Sequence, residues 1–285
     1  MSSVAVVRPH RPPLARTIRR GLVLALVAIL ILIVLFPFYW LVQMSFKTER
    51  EAFQMPPQIV FVPTLQNYVS VLQGKFVRAL GNSAITATTT TVLSLLLGVP
   101  AAYALSRARF GSDWAISLWM LATRMAPPIA FGIPFFLIYK NLELIDTLHG
   151  LIIIYLTFNL SLVIWTMRTF FDGLPVSLEE AAYIDGAGVF ETFLRVTLPL
   201  STPGLATTAI FCFLLSWNDF FYSLILARSD ALTAPVAIVN FMNYESWEYG
   251  KISAGGTLIM LPVVVFSLAV KKYLVSGLTA GAIKG

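Results

Sequence analysis

The chain has 285 residues, of which 58% are hydrophobic and only 12% charged, whereas a soluble domain carries about 25% charge. That excludes an ordinary water-soluble globule and points to lipid as the solvent. The net charge of +6 comes from 20 Lys and Arg against 14 Asp and Glu, but the cations are scattered among loops and tails with no aromatic-basic stripe, which argues against a nucleic-acid partner.

In chain order, residues 1–20 form a basic arm with Arg8, Arg11, Arg16, Arg19 and Arg20 and no acid. Gly21 to Phe46 is free of charge over 26 residues, or roughly 39 Å of helix against a hydrocarbon core of about 30 Å. Its length and the lack of a small-residue cleavage site set it apart from a signal peptide, so it reads as the first membrane helix, kinked at Pro37. Residues 47–82 are broken by Pro56, Pro57 and Pro63, with amphipathic pieces between Leu65 and Leu80. A second helix is expected over 83–106, where Thr86, Thr88, Thr89, Thr90 and Thr91 can bond back to helix carbonyls and Gly98 allows close packing. Further helices are expected over 114–139, 149–167, 205–226 and 252–270. Together, residues 21–275 read as one all-α membrane domain of six transmembrane helices, followed by a tail over 276–285. Cys212 lies in an apolar run, with no second cysteine for an intrachain disulfide and no metal-ligand spacing.

With the N-terminus cytoplasmic, the inner segments hold twelve Lys and Arg against seven in the outer loops. This bias follows the positive-inside rule and puts both termini in the cytoplasm.

One polar island interrupts the hydrophobic spans, over residues 171–200. Glu180-Ala181-Ala182-Tyr183-Ile184-Asp185-Gly186, and after nine residues Val196-Thr197-Leu198-Pro199, describe a short helix, a sharp bend at a glycine able to take φ > 0, and a second short helix ended by a proline. Glu179, Glu180, Asp185 and Glu191 give this knob an acidic face, suited to a soluble partner with a basic cleft. Neither a phosphate-cradling Gly-x-x-x-x-Gly-Lys-Ser/Thr stretch nor a catalytic or metal constellation occurs, and His10 and His149 stand apart. Alone, the chain is not an enzyme.

The spacing of the Glu180 to Pro199 pattern resembles the signature loop of the membrane-spanning subunits of bacterial ABC importers, with Val196 where isoleucine is commoner. The ending Gly277-Leu278-Thr279-Ala280-Gly281-Ala282-Ile283-Lys284-Gly285 is similar to that of the shorter permease subunit of the carbohydrate class, whose best-known member belongs to the maltose importer. The resemblance implies a type I importer fold in the bacterial inner membrane. It also implies a second homologous permease, a dimer of ATPase subunits that binds the ATP and Mg, and an extracytoplasmic solute-binding protein. No cofactor is implied for this chain itself. By the same resemblance Glu180 pairs with a basic residue of the ATPase cleft, Gly186 sets the bend, Ala181 and Ala182 permit close docking, and Leu198 and Pro199 anchor the second helix. The tail, with Gly277, Thr279, Gly281 and Lys284, would enter the ATPase interface.

Polar groups at membrane depth face a cavity or a partner. Arg124 and Asp219 either pair with each other or reach water at helix ends, and Tyr155, Asn159, Trp217 and Asn218 complete a candidate path for a sugar or sugar alcohol. The loop Arg228 to Lys251 is either an interfacial belt or, as the resemblance implies, a loop that reaches into the binding protein with Asn243, Tyr244, Glu245 and Ser246 near its tip. The alternative function is a stand-alone ion-coupled transporter, which requires intramembrane acids on several helices where only Asp219 qualifies.

Overall fold

A computed structural model describes residues 14–108, 113–125, 127–242 and 247–282. Among them the secondary structure is helical apart from one bridge pairing Met242 with Trp247. The helices are α1 (Leu14–Ser45), α2 (Glu49–Ala52), α3 (Gln66–Gln73), α4 (Phe76–Arg107), α5 (Asp113–Met125), α6 (Pro128–Asn141), α7 (Leu148–Asp172), α8 (Ser177–Ile184), α9 (Val189–Thr192), α10 (Leu198–Leu200), α11 (Thr202–Trp217), α12 (Phe221–Leu226), α13 (Ala234–Ala237) and α14 (Tyr249–Ala282).

Four helical stretches among the described residues are long and apolar enough to cross a membrane: Ile18–Ser45, Phe76–Arg107, Leu148–Asp172 and Tyr249–Leu268. Two bent pairs bring the number of spans to as many as six.

The first bent pair covers the stretch expected as one helix over 114–139. It breaks between Met125 and Pro128 with an 89° turn, because consecutive prolines remove backbone donors and drive the preceding residue out of the helical region. Pro127 accordingly has ψ 126°. The second pair, Val189–Leu200 with Thr202–Trp217, turns by 78°. The helix expected to reach residue 226 stops at Trp217, and α12 begins beyond Asp219, whose carboxylate accepts the Ser223 amide hydrogen at 3.1 Å. A short acid side chain that can cap a new helix ends the old one cheaply.

Several expected boundaries move outward: α1 begins at Leu14, inside the stretch expected as a basic arm, and α7 runs on to Asp172. α4 starts at Phe76 rather than Ser83, because the added turns bury Phe76, Ala79 and Asn82. α14 continues past residue 270 to Ala282, so the stretch expected as a separate tail is helical in its first part.

The bundle centres on α4 and α7, with α11 packed against both. Gly98 is the contact that permits this: a Cβ there would lie 2.7 Å from the Val163 side chain, so only glycine lets the two backbones approach so closely. Thr86 and Thr91 donate to the carbonyls of Asn82 and Ala87 at 2.8 and 2.7 Å, satisfying hydroxyls inside the bundle. Along α1, Leu22 to Phe38 are exposed, as suits a helix facing lipid.

Candidate coupling site

Helix α8, the bend and α9 build the knob. Gly186 has φ +90°, and a Cβ at that position would meet nothing within 4 Å. Backbone conformation, not crowding, is what requires the glycine. The amide of Ala187 closes on the Ala182 carbonyl at 3.0 Å. Beyond α9 the chain widens into a π-helical turn over Phe193–Thr197 and enters α10. Pro199 lies one residue before the end of the helical run Val189–Leu200, and the chain turns at Ser201.

The acidic face is smaller than the sequence suggests. Glu179 points inward and is 3% exposed. Its carboxylate accepts from Arg107 Nε at 3.0 Å and Nη2 at 2.9 Å, from the Tyr103 hydroxyl at 3.0 Å and from the Thr197 hydroxyl at 2.9 Å. Burial pushes the Glu179 carboxyl up, but the Arg107 guanidinium and the two hydroxyls outweigh it and hold the group below the ordinary carboxylate range. A further Arg107 bond, to the Phe171 carbonyl at 3.0 Å, draws in the end of α7. The Glu179–Arg107 pair therefore ties the knob to α4, to α7 and to the end of the π-helical turn. Glu191 pairs with Arg195. What remains exposed and acidic is Glu180 and Asp185.

Beside them lies a feature that sequence reasoning did not find. Ile184 is 86%, Val189 65% and Phe190 72% exposed, at the tip of a polar loop. Apolar groups collected on an exposed tip mark a contact surface. In sequence they read as ordinary helix residues, and only the bend brings them together. Ala181 is exposed and Ala182 half-buried, while Leu198 packs onto the core of Val99, Tyr103, Phe171 and Phe193.

The expected path residues separate into two sets. Tyr155 is wholly buried and donates to Asp219 at 2.9 Å, the fully buried Asn159 donates to the Ser216 hydroxyl at 2.7 Å, and Trp217 donates from Nε1 to the Ile259 carbonyl at 3.1 Å. Tyr155, Asn159, Trp217 and Asp219 thus join α7, α11, α12 and α14 internally. Asn218, next to them at the end of α11, is exposed. Asp219 takes Tyr155 as its partner, and Arg124 is exposed with no ion pair among the described residues. Nearer the surface is a cavity of about 510 Å³ walled by Trp119, Phe131, Phe135, Phe158 and Tyr222 with the hydroxyl of Thr157. Its wall draws on α5, α6, α7 and α12, which no local pattern could reveal.

At the end of the bundle opposite the knob, Asp146 holds a left-handed conformation, with φ 60°. It accepts amide hydrogens from Arg228 at 2.9 Å, Ser229 at 3.2 Å, Asp230 at 3.0 Å and Ala231 at 2.9 Å. Burial opposes ionisation here, but the four amides prevail and hold the carboxyl at about 2. Gly277, Thr279 and Gly281 lie on the last turns of α14. Asn243, Tyr244, Glu245, Ser246 and Lys284 lie outside the described residues.

The fold is a multi-helix membrane bundle with broken spans and, at one end, a braced, apolar-tipped loop. The family model for the inner membrane component of binding-protein-dependent transport systems matches residues 94–279, and the chain belongs to that family. It is 40% identical over 259 residues to the trehalose transport system permease protein SugB of Mycobacterium tuberculosis, covering 88% of this chain and 93% of that protein. It is 34% identical over 273 residues to the trehalose/maltose transport system permease protein MalG of Thermococcus litoralis, covering 94% and 98%. Among solved structures it resembles a chain of a bacterial ABC transporter involved in the import of the acidic polysaccharide alginate, with a TM-score of 0.76, 26% identity, and coverage of 93% of this chain and 99% of that one.

Proposed function

We propose that this subunit carries a sugar or sugar alcohol across the bacterial inner membrane by alternating access. It would do so with a second homologous permease, a pair of ATPase subunits that bind ATP and Mg, and an extracytoplasmic binding protein. The knob and both termini face the cytoplasm, in accord with the positive-inside bias. The observation that carries the reading is the braced, exposed helix-bend-helix. Its apolar tip of Ile184, Val189 and Phe190, flanked by Glu180 and Asp185, suits a cleft with an apolar floor and a basic rim on the ATPase. The tail residues Gly277, Thr279, Gly281 and Lys284 reach the same partner, and Asn243, Tyr244, Glu245 and Ser246 face the binding protein.

For the solute path, the aromatic cavity replaces most of the residues expected from sequence. Ring faces suit the apolar faces of a sugar and the neighbouring hydroxyls suit its polar edge. Arg124 follows Thr123 of the cavity wall without itself lining the cavity, and Tyr155, Asn159, Trp217 and Asp219 keep the frame in register.

The test is to purify the complex that accompanies this chain from native membranes and to measure its ATPase rate over a panel of sugars and polyols with the binding protein present. Stimulation by one compound is expected, and Glu180→Lys should lower stimulation while the chain stays in the membrane. If no ATPase accompanies the chain, the reading of the knob as the coupling site fails.

A further inference from the structure

Three hydroxyls line the aromatic cavity shared by α5, α6, α7 and α12, and the hydrogen of each is already committed. Thr123 donates to the Met120 carbonyl at 2.8 Å, Thr157 to the Ile154 carbonyl at 2.6 Å and Ser161 to the Phe158 carbonyl at 3.0 Å. A hydroxyl that gives its proton to its own helix backbone keeps only lone pairs for a guest. All three therefore meet a solute as acceptors.

The rings share that polarity. Phe158 and Tyr222 stack with centroids 5.9 Å apart, Phe135 meets Tyr222 edge-on at 6.2 Å, and Phe131 lies 5.9 Å from Phe135, so each ring is braced by a neighbour. An aromatic face carries partial negative charge and attracts cations rather than anions. No carboxylate, ammonium, guanidinium or amide side chain lines the cavity among the described residues. The side-chain donors left to it are the Trp119 indole N–H and the Tyr222 hydroxyl, both uncharged. A carboxylate entering such a site gives up its water and finds no charge to pair with, whereas a sugar hydroxyl gives up its water and finds an acceptor.

We propose that this cavity selects its solute by charge. It admits sugars without a carboxylate, whose hydroxyls donate to Thr123, Thr157 and Ser161, and it turns away sugar acids. The inference rests on the reading of the cavity as the solute path and sharpens it, from sugars and polyols at large to those that are neutral or carry an amine. A uronic acid is hardly larger than its parent sugar, so charge and not room decides.

The test reads the field inside the cavity without knowledge of the solute. Thr157, an exposed residue of the wall, is changed by Thr157→Cys in the whole importer in nanodiscs of zwitterionic lipid. Its modification rate is measured with two methanethiosulfonates of similar size, one ending in a trimethylammonium and one in a sulfonate, each normalised to its rate with a free thiol in solution. The wild type, whose Cys212 is wholly buried, gives the background. The cationic reagent should lead by at least about 10-fold at low salt. Ser161→Cys, one turn further along α7, should show the same order and covers the case in which Thr157→Cys fails to assemble. Equal normalised rates, or a lead of the anionic reagent, overturn the proposal. An anionic lead that disappears with Arg124→Gln would assign the cavity to sugar acids through that cation. Failure of the path reading looks different: the fully modified Thr157→Cys complex would keep wild-type uptake of the sugar that stimulates its ATPase, whichever reagent had reacted faster.

Discussion

Arg107→Ala removes the cation from the Glu179 carboxylate and leaves the two hydroxyl donors, Tyr103 and Thr197, in place. An exposed ion pair would be worth about 0–1 kcal/mol, but Glu179 is 3% exposed. Breaking a buried pair from one side costs about 3–5 kcal/mol, chiefly because the remaining charge is stranded. The two surviving hydrogen bonds place the expected loss near the lower bound, about 3 kcal/mol, or a fall in Tm of at least about 6 °C for a chain of this size. Thermal melting of the detergent-solubilised complex measures it. The companion double variant, Arg107→Ala with Glu179→Ala, strands no charge and should melt higher than the sum of the single effects predicts. ATP hydrolysed per solute imported should also rise in Arg107→Ala, since α8 loses its brace. A Tm within about 1 °C of wild type, or strict additivity in the double variant, would refute the reasoning.

Gly186→Val forces a β-branched residue to φ +90° with no steric clash to relieve. The local cost of about 1–2 kcal/mol should reshape the bend and uncouple transport with normal expression, and wild-type uptake by a well-expressed variant would contradict this. Gly98→Leu places side-chain atoms where Val163 already lies, and overpacking between α4 and α7 should lower stability by at least about 1–3 kcal/mol, read as reduced yield and Tm. Asp146 titrates below its unfolded value, so its stabilising contribution is complete above about pH 4 and is lost as pH falls towards about 2. Melting curves of the wild type should therefore fall more steeply across that window than those of Asp146→Asn, and parallel curves would show that the clasp does not control that region.

What was legible in the sequence were long apolar runs and one spaced motif. Composition identified the membrane and the runs marked the helices, because hydrophobic length is a local property. The breaks were less visible: Pro127 and Pro128 were in plain sight within an expected helix, and Asp219 ended another by capping its successor, which requires knowing which donor it faces. The motif located the knob, but not the orientation of each acid. Glu179 and Glu180 are adjacent and chemically identical, and only the approach of Arg107, from 72 residues earlier, turns the first inward and leaves the second exposed. Asp146 carries no local signal, since its partners lie more than eighty positions away. The aromatic cavity was hidden for the same reason. It is assembled from segments distant in sequence.

The spans of this bundle differ in continuity. α4 and α7 cross without interruption, whereas the α5–α6 crossing and the approach to α11 each contain a bend of close to a right angle. An unbroken helix resists bending because a hydrogen bond must be lost at the bend, while a break made by prolines or a side-chain cap has already given that bond up. Under a load applied at the knob, the α4–α7 pair should move as a stiff axle. The broken spans are the compliant parts, and the aromatic cavity, which α5 and α6 share with α7, changes shape when they yield.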